Sequence, residues 1–296
     1  MHDFLTGRII KGIGGFYYVL PDGENETVEC KARGHFRSKH LVPMVGDLVQ
    51  YSFQKDGYAA IEKILPRKNE LIRPAVSNID LLYIVLSASR PKPDFLLLDK
   101  LLLRAKMLDI EAVPVLNKCD EADADIVSVF LDDYGTHFNT VLVSAKDGKG
   151  IEKLKEIMQG KITCFAGQSA VGKSSLINAL IPDLHLETGG LSKKTDRGKH
   201  TTRKAELWPV FNGAVLDTPG FSLYEADILT QRQLDSCYPE FSDLPASCYY
   251  TGCTHTHEPN CAVKNMIRSG GMSSARYERY CTLLKEIEQE RNKQYD

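Results

Sequence analysis

Residues 167–174, GQSAVGKS, have the spacing of a phosphate-binding loop. The pattern G-x-x-x-x-G-K-[ST] is met by Gly167, Gly172, Lys173 and Ser174. Glycines let backbone N–H groups converge on phosphate oxygens, and the N-terminus of the following helix adds partial positive charge. We expect Lys173 to reach the terminal phosphates and Ser174 to ligate Mg²⁺. The predicted contacts of this loop with a nucleotide are Gly167, Gln168, Ser169, Ala170, Val171, Gly172, Lys173, Ser174 and Ser175.

A second phosphate-side motif, DTPG, occupies residues 217–220 at the end of an apolar strand. Asp217 suits an aspartate that holds Mg²⁺ indirectly, through water or through another ligand, and Gly220 suits a backbone N–H donor to the terminal phosphate. This tetrapeptide is a common turn by itself. Downstream of a phosphate-binding loop it indicates a nucleotide hydrolase.

The motif NKCD, residues 117–120, could read the base of the nucleotide. It follows the apolar strand AVPVL. We expect Asn117 to brace the loop, Lys118 to lie along the base plane and Asp120 to accept two N–H donors of guanine. Adenine has no such donor pair, so this carboxylate would select GTP over ATP.

The motif SAKD, residues 144–147, is a weaker signal of the same kind. It follows the strand TVLVS, and the backbone N–H near Ala145 could meet the guanine carbonyl oxygen. The residues assigned to the nucleotide from this motif are Ser144, Ala145 and Lys146. Two such loops, each at a strand end, favour a guanine nucleotide more strongly than either motif alone.

The segment between the two phosphate motifs is strongly basic. Residues 193–204, KKTDRGKHTTRK, contain six Lys or Arg residues and one Asp. Thr201 and Thr202 are both candidates for the threonine that completes Mg²⁺ coordination. The predicted magnesium set is Ser174, Asp217 and Thr202, with Thr201 as the open alternative. A solvated basic loop is the competing interpretation of this segment.

The residue that orients the attacking water is not at the usual place. Phe221 follows DTPG, where many GTPases carry a glutamine that positions water. His200, directly before the two threonines, could do this, because an imidazole can both accept and donate a proton. His200 could equally pack against or cap a loop. The predicted catalytic residues are His200 and Lys173.

Cysteine and histidine residues crowd the C-terminal part of the chain. Cys248, Cys253 and Cys261 with one histidine would give three thiolates and one imidazole, a closed tetrahedral Zn²⁺ site of the structural type. His255 and His257 are both within reach of that role, and the spacing alone does not choose between them. The sequence therefore predicts one structural zinc ion per chain.

The elements that must position these residues fall into three predicted domains, residues 1–67, 68–225 and 226–296. The first contains five short strands with turn signals between them, which favours an OB-type β-barrel that binds RNA. Its exposed candidates for RNA contact are Arg33, Phe36, Arg37 and Lys39, with a merely solvated turn as the alternative. The second alternates apolar strands with helices, as in a parallel sheet covered on both faces. The third is helical and zinc-binding.

The order of the motifs is unusual. In Ras-like GTPases the phosphate-binding loop comes first and the base-reading motifs last. Here NKCD and SAKD precede GQSAVGKS and DTPG, which indicates a circular permutation of the GTPase domain. Because the termini of domains often lie close together, the same sheet can be opened at another point. The predicted fold class is α/β, a permuted GTPase flanked by the barrel and the zinc domain.

Charge and hydropathy exclude several classes of protein. Lys plus Arg total 37 and Asp plus Glu total 39, a net charge of −2, so bulk charge cannot hold this chain to nucleic acid. No stretch approaches the roughly 20 apolar residues of a membrane span, and the N-terminus does not look like a secretory signal. The eight cysteines are then expected in a reducing compartment. We expect a cytoplasmic monomer with no membrane association.

Taken together, these motifs resemble those of the circularly permuted ribosome-biogenesis GTPases, the YjeQ or RsgA family of bacteria. The resemblance rests on NKCD, SAKD, GQSAVGKSS, GKHTT, DTPGF and CTHTHEPNC, in this order over essentially the whole chain. It implies an OB domain, a permuted GTPase domain and a zinc-containing helical domain. It also implies that His255 is the fourth zinc ligand and that His200 is the family's histidine before the switch threonines.

The same resemblance implies a function. Members of the family bind the small (30S) ribosomal subunit and its rRNA, bind GTP and GDP, and assist late maturation with a GTPase activity that the subunit stimulates. The alternative is a non-catalytic RNA-binding scaffold in which GTP is only a structural ligand. The catalytic alternative is favoured because the chain has Lys173, Ser174, Asp217 and Asp120, and a site that does not hydrolyse GTP would not require all four.

Overall fold

The computed structural model describes residues 4–34, 36, 41–54, 58–71, 74–184, 205–217, 230–242, 248–250 and 252–293. The first five strands form a closed barrel, in which β1 pairs with both β2 and β4, β2 with β3, and β5 with both β3 and β4. Closure covers residues 5–8 of β1 with β4, and the second half of β1 keeps an edge that can pair outside the barrel. The strands are β1 (Leu5–Ile13), β2 (Phe16–Pro21), β3 (Val28–Ala32), β4 (Leu48–Phe53) and β5 (Ala59–Ile64). The five-stranded barrel predicted from the sequence is confirmed.

The interior of the barrel is apolar and includes one residue that the sequence analysis placed outside. Ile9, Val19 and Ile61 are fully buried there. Phe36 packs into the same cluster and is 4% exposed, so its prediction as an exposed RNA contact was wrong. A phenyl ring gains more from burial in the core than from a place in a solvated turn. Arg33 is exposed but paired, since its guanidinium donates to both carboxylate oxygens of Glu62.

The second predicted domain, residues 68–225, contains the predicted nucleotide motifs, and we call it the nucleotide half. It is built on a largely parallel sheet of order β10-β9-β8-β11-β13-β12. Neighbouring strands run parallel except β12, which is antiparallel to β13. A short hairpin of β6 (Glu70–Leu71) and β7 (Val76–Ser77) leads into it from the barrel. The strands of the sheet are β8 (Leu81–Ser87), β9 (Glu111–Asn117), β10 (Val141–Leu142), β11 (Ile162–Ala166), β12 (Glu206–Val210) and β13 (Gly213–Asp217).

Helices cover both faces of this sheet, as the continuous apolar strands require. All seven residues of β8 are buried. α1 (Phe95–Met107) and α2 (Ala124–Tyr134) contribute to the apolar cluster on one face. α3 (Ile151–Met158) and α4 (Lys173–Leu180) contribute to the cluster on the other. The predicted parallel sheet is thus present, with helices on both of its faces.

The barrel and the sheet are joined edge to edge. β1 pairs antiparallel with β12, with Lys11 opposite Glu206. The two side chains form an ion pair at 2.7 Å. One 11-stranded sheet therefore runs from β10 through the barrel to β4.

The C-terminal part of the chain is helical and has a small core of its own. Its helices are α5 (Gln231–Ser236), α6 (Pro239–Ser242), α7 (Ala262–Arg268) and α8 (Ser274–Lys293). Tyr238, Tyr280 and Leu284 are buried in this core together with Leu103 of α1. The C-terminal module, residues 230–293, therefore rests on α1. Among the described residues, no helix is both long and apolar enough to cross a membrane.

Candidate guanine-nucleotide and metal sites

The predicted nucleotide-binding loops meet at one edge of the sheet because they follow strands that run parallel. The phosphate-binding loop comes directly after β11, and NKCD begins with the last residue of β9. SAKD follows β10, and β13 ends at Asp217. The carboxyl ends of parallel strands share one edge, where ligands bind in open α/β sheets.

The phosphate-binding loop depends on glycines at two points. Gly167 has φ +133°, and a Cβ there would lie 2.1 Å from the carbonyl oxygen of Val85. Gly172 has φ +95°, and a Cβ there would lie 2.4 Å from Nδ2 of Asn117. Any larger residue would push the loop away from β8 or from the base-side loop. The loop then leads into α4, whose first residue is Lys173.

The side chain of Lys173 folds back over the phosphate-binding loop. Its Nζ donates to the carbonyl oxygens of Gly167, at 2.8 Å, and of Gln168. Burial lowers the pKa of this lysine. Phosphate oxygens are stronger acceptors for an ammonium group than neutral carbonyls are. The side chain is therefore within reach of an anion in the loop.

Asn117 joins the phosphate side of the site to the base side. Its side chain is 1% exposed. Nδ2 donates to the carbonyl oxygen of Val171 at 2.9 Å, and Oδ1 accepts from the backbone N–H of Ala145 at 3.2 Å. One amide therefore fixes three loops relative to one another, which is the bracing role that the sequence predicted.

Lys118 and Asp120 lie on the same loop with different partners. Lys118 adopts φ +66° and its Nζ donates to the carbonyl oxygens of Ala170 and Arg90. Asp120 accepts from the hydroxyl of Ser144 at 2.8 Å, and Nζ of Lys146 lies 3.4 Å from its second oxygen. The Ser144 hydrogen bond, with that of Lys146, holds the pKa of Asp120 below its ordinary value. The carboxylate is ionised at neutral pH and can accept N–H donors.

The remaining predicted residues of the nucleotide site are described only in part. Ser174 and Ser175 lie in the first turn of α4, and the backbone of Asp217 ends β13 on the same sheet edge. Gly220 lies outside the described residues, as do His200, Thr201 and Thr202. Arg37 and Lys39, the other predicted RNA contacts, lie outside them too.

The second candidate site is a group of four side chains in the C-terminal module. The ligand atoms of Cys248, Cys253, His255 and Cys261 all lie within 4.8 Å of one another. Nδ1 of His255 is 3.4 Å from Sγ of Cys248 and 3.5 Å from Sγ of Cys261. The sulfurs of Cys248 and Cys261 are 3.9 Å apart.

These distances fit zinc. Tetrahedral Zn²⁺ with Zn–S near 2.3 Å and Zn–N near 2.0 Å requires sulfur–sulfur edges of about 3.8 Å and sulfur–nitrogen edges of about 3.5 Å. His257, the other candidate, is exposed and does not belong to the group. Burial lowers the pKa of His255, so its imidazole is neutral and can donate a lone pair. The donor set is three sulfurs and one nitrogen, which suits a closed structural site.

Comparison with known proteins identifies the family. The RsgA GTPase family model matches residues 64–227, and the RsgA N-terminal domain model matches residues 6–61. The chain belongs to the RsgA GTPase family. One curated relative, the small ribosomal subunit biogenesis GTPase RsgA of Clostridium beijerinckii, is 44% identical over 98% of this chain and all of that protein. The protein of the same name from Caldanaerobacter subterraneus subsp. tengcongensis is 42% identical, with 98% of each chain covered.

Two solved structures have the same fold as this chain. The crystal structure of YjeQ from Thermotoga maritima superposes with a TM-score of 0.83 and 35% identity, covering 96% of this chain and 99% of that one. YloQ, described as a circularly permuted GTPase, superposes with a TM-score of 0.81 and 35% identity, covering 98% and 96%. The permuted GTPase fold inferred from motif order is confirmed for this member of the RsgA family.

The structure also reveals residues around the two sites of this RsgA family member that the sequence analysis did not find. Asp235 in α5 has Oδ2 3.9 Å from Nε2 of His255. Glu258 accepts from the backbone N–H groups of Thr254 and Thr256, at 2.7 Å and 3.1 Å, and so orders the turn between the ligands. A carboxylate opposite a ligand histidine orients the imidazole and raises its basicity. Neither acid has a local motif, since each is defined only by what it contacts.

Proposed function

We propose that this chain binds and hydrolyses GTP and acts in biogenesis of the small ribosomal subunit. The observation that carries the proposal is the double hydrogen bond of Asn117, which joins Val171 in the phosphate-binding loop to Ala145 in the base-side loop. A nucleotide spans those two loops. Because the two loops are held together before the nucleotide binds, the conformational entropy lost on binding is smaller.

The base-side loops favour guanine. Asp120 is ionised and is already aligned by the hydroxyl of Ser144. Its free acceptor capacity suits the two N–H donors on the guanine edge, whereas adenine would leave this carboxylate without a matching donor. The proposed base contacts are Asn117, Lys118, Asp120, Ser144, Ala145 and Lys146.

The phosphate side supports hydrolysis. Lys173 is placed to exchange its carbonyl partners for the terminal phosphates. Mg²⁺, when bound with GTP, would neutralise charge that develops on the transferred phosphoryl group. We propose Ser174, Asp217 and Thr202 as its protein ligands, and His200 as the group that orients the attacking water. Gly220 is proposed as a backbone donor to the terminal phosphate.

We further propose that the Cys/His group binds one structural zinc ion. The zinc would hold the turn at residues 248–261 against α5 and α8, so that the C-terminal module has a fixed shape. Because such a closed site leaves no open coordination position, its role is folding and not chemistry.

The partner proposal rests on the names of the relatives, which are small ribosomal subunit biogenesis GTPases. We propose that the chain acts as a cytoplasmic monomer on the small subunit and its rRNA. We retain three domains, 1–67, 68–225 and 226–296, supported by the separate family models for residues 6–61 and 64–227.

The test combines turnover with co-sedimentation. GTP hydrolysis is measured with and without purified small subunits, and binding to the subunits is measured with GDP and with a non-hydrolysable GTP analogue. We expect subunits to stimulate hydrolysis and the analogue to give tighter binding, because two ligands that favour one state favour each other. Equal co-sedimentation in both states with no stimulation would support the RNA-binding scaffold instead.

A further inference from the structure

A buried cluster of charges joins the C-terminal module to the nucleotide half of the molecule. We call it the arginine cluster, and it consists of Asp99, Asp133, Glu240, Arg276 and Arg279. Arg276 is 2% exposed and donates to Asp99 at 2.8 Å and to Glu240. Arg279 donates to Asp99 at 2.8 Å and to Asp133 at 2.6 Å. No sequence motif or proposed site accounts for this cluster.

Asp99, in the second turn of α1, is the centre of the cluster. It also accepts from the hydroxyl of Tyr134 at 2.6 Å. The hydroxyl of Tyr238 lies 3.5 Å away, so four charged or polar donors meet on one carboxylate that is itself 2% exposed. Removing one partner of such a group leaves uncompensated charge in a low-dielectric interior, so the cluster tolerates little relative movement of α1 and α8.

The N-terminus of α1 contacts the phosphate-binding loop. The backbone N–H of Asp94, the residue that caps α1, donates to Oε1 of Gln168 at 3.1 Å. The carbonyl of the same Gln168 accepts from Nζ of Lys173. If Lys173 turned to a phosphate, the Gln168 carbonyl would lose that donor, which would link nucleotide binding to the residue whose side chain contacts the start of α1.

The other end of the network reaches the Cys/His group. Tyr280, one turn beyond Arg276 in α8, donates to Asp235 at 2.7 Å. The second oxygen of Asp235 faces Nε2 of His255. Side-chain contacts, linked by the backbones of α1 and α8, thus extend from Gln168 to the predicted zinc ligand His255.

We propose that α1 couples the phosphate-binding loop to the C-terminal module, so that bound guanine nucleotide slows opening of that module, and that Asp99 is the positioning residue on which this coupling depends. The inference rests on the proposed nucleotide binding. Coupling of this kind is reciprocal, so metal in the C-terminal module would also favour nucleotide binding. Such coupling requires one element that contacts both parts of the molecule, and α1 does so through Asp94 at its N-terminus and Asp99 in its second turn.

The test is amide hydrogen exchange on the full zinc-loaded chain, with and without GDP and Mg²⁺. In the wild type we expect nucleotide to slow exchange in α8 at least threefold. Asp99→Asn should remove this response while the GDP dissociation constant changes less than threefold. Asp132→Asn is the matched control, because this exposed aspartate next to Asp133 accepts a hydrogen bond from Ser128, lies outside the arginine cluster and should leave the response intact.

Two further variants cover the case in which Asp99→Asn does not fold. Arg279→Lys keeps the positive charge but loses the planar guanidinium whose Nε donates to Asp99 and whose Nη2 donates to Asp133, and it should reduce the response of α8. In the wild type we also expect GDP to slow zinc release to a chelator. Tyr280→Phe removes the hydroxyl that contacts Asp235, so it should lose this effect but keep the response in α8. A merely structural role would change exchange equally with and without GDP.

The outcomes separate the two proposals. If the chain does not bind GDP, the proposed function fails. If GDP binds but exchange in α8 is the same with and without it, or if Arg279→Lys and Asp99→Asn retain the full response, the coupling is overturned and the function stands.

Discussion

At the scale of single residues, Asp120 carries the choice of base. It is ionised, aligned by Ser144 and approached by Lys146. Asp120→Asn replaces an acceptor by a donor, so we expect the affinity for GDP to fall by about 100-fold or more, as expected for about 3 kcal/mol of lost charged hydrogen bonding. Xanthine nucleotides, which present an acceptor at that position, should bind the variant better than guanine nucleotides do.

The measurement is titration calorimetry with GDP and XDP. Glu121→Gln is the matched control, since Glu121 is the exposed neighbour and also faces Lys146, at 3.7 Å. It should bind GDP as the wild type does. Equal GDP affinity in Asp120→Asn and the wild type would remove Asp120 from the base site.

His255 and His257 give a second prediction at this scale. His255→Ala removes a donor of the Cys/His group, so zinc retention during competition with a chelator should be lost. His257→Ala removes an exposed side chain outside the group and should leave retention unchanged. Asp235→Asn should lie between them, with about 10- to 100-fold weaker zinc binding, because it replaces the carboxylate that faces His255 without removing a zinc ligand. Loss of zinc in His257→Ala alone would reverse the ligand assignment.

Motif residues such as Asn117 and Lys173 could be predicted from the sequence because their spacing along the chain is itself the signal. Spacing along the chain does not predict the partners of Asp99, Asp235 and Gln168. Each of these side chains contacts a residue that is distant in sequence, and a lone aspartate in a helix is usually a solvated charge. The prediction for Phe36 was wrong because its neighbours in sequence are typical of an exposed turn, whereas its ring is buried in the barrel.

At the scale of elements, the phosphate-binding loop and the NKCD loop are interlocked through Gly172. A Cβ at this position would meet Nδ2 of Asn117. Gly172→Ala should therefore weaken GDP binding by more than tenfold, because Asn117 must leave its contacts with Val171 and Ala145.

Gly160→Ala isolates the backbone strain from the contact. Gly160 also has positive φ, +71°, but has no atom within 4 Å of an added Cβ. Both variants should lose about 1–2 kcal/mol of stability from the left-handed backbone, measured by urea unfolding. Only Gly172→Ala should also lose GDP affinity. Similar GDP affinities in the two variants would show that the loops are not interlocked.

The type of most elements follows from local patterns. The five barrel strands and the buried strands β8, β9, β11 and β13 have apolar composition between turn signals, and the structure has strands there. β10 is much shorter than its apolar sequence suggests, with two residues, because only those pair with β9. A strand's length depends on its partner, and the partner is not part of the local sequence.

At the scale of the whole molecule, the continuous sheet joins the barrel to the nucleotide half. Lys11 and Glu206 pair across that junction, and both side chains are partly exposed. We expect Lys11→Glu to lower the free energy of unfolding by about 0.5–1 kcal/mol through like-charge contact, and Glu206→Lys to do the same.

The double variant with exchanged charges should recover most of that loss, and the effect should shrink at high salt. Thermal unfolding of the four proteins gives the coupling free energy. Lys63→Glu, an exposed lysine of β5 away from the junction, is the control and should show no rescue by Glu206→Lys. Additive effects of the two single variants would show that the pair does not hold the junction.

The junction between β1 and β12 also has a consequence for synthesis of the chain. Lys11 and Glu206 are 195 residues apart. At about 5–20 residues per second, a ribosome making this protein would release β12 roughly 10–40 seconds after β1. During that interval the barrel can close. The second half of β1, which contains Lys11, stays unpaired along the edge that β12 will cover. Nascent chains can aggregate through such an open strand edge. A lysine on such an edge discourages wrong pairing, so Lys11 protects the growing chain before Glu206 has been made.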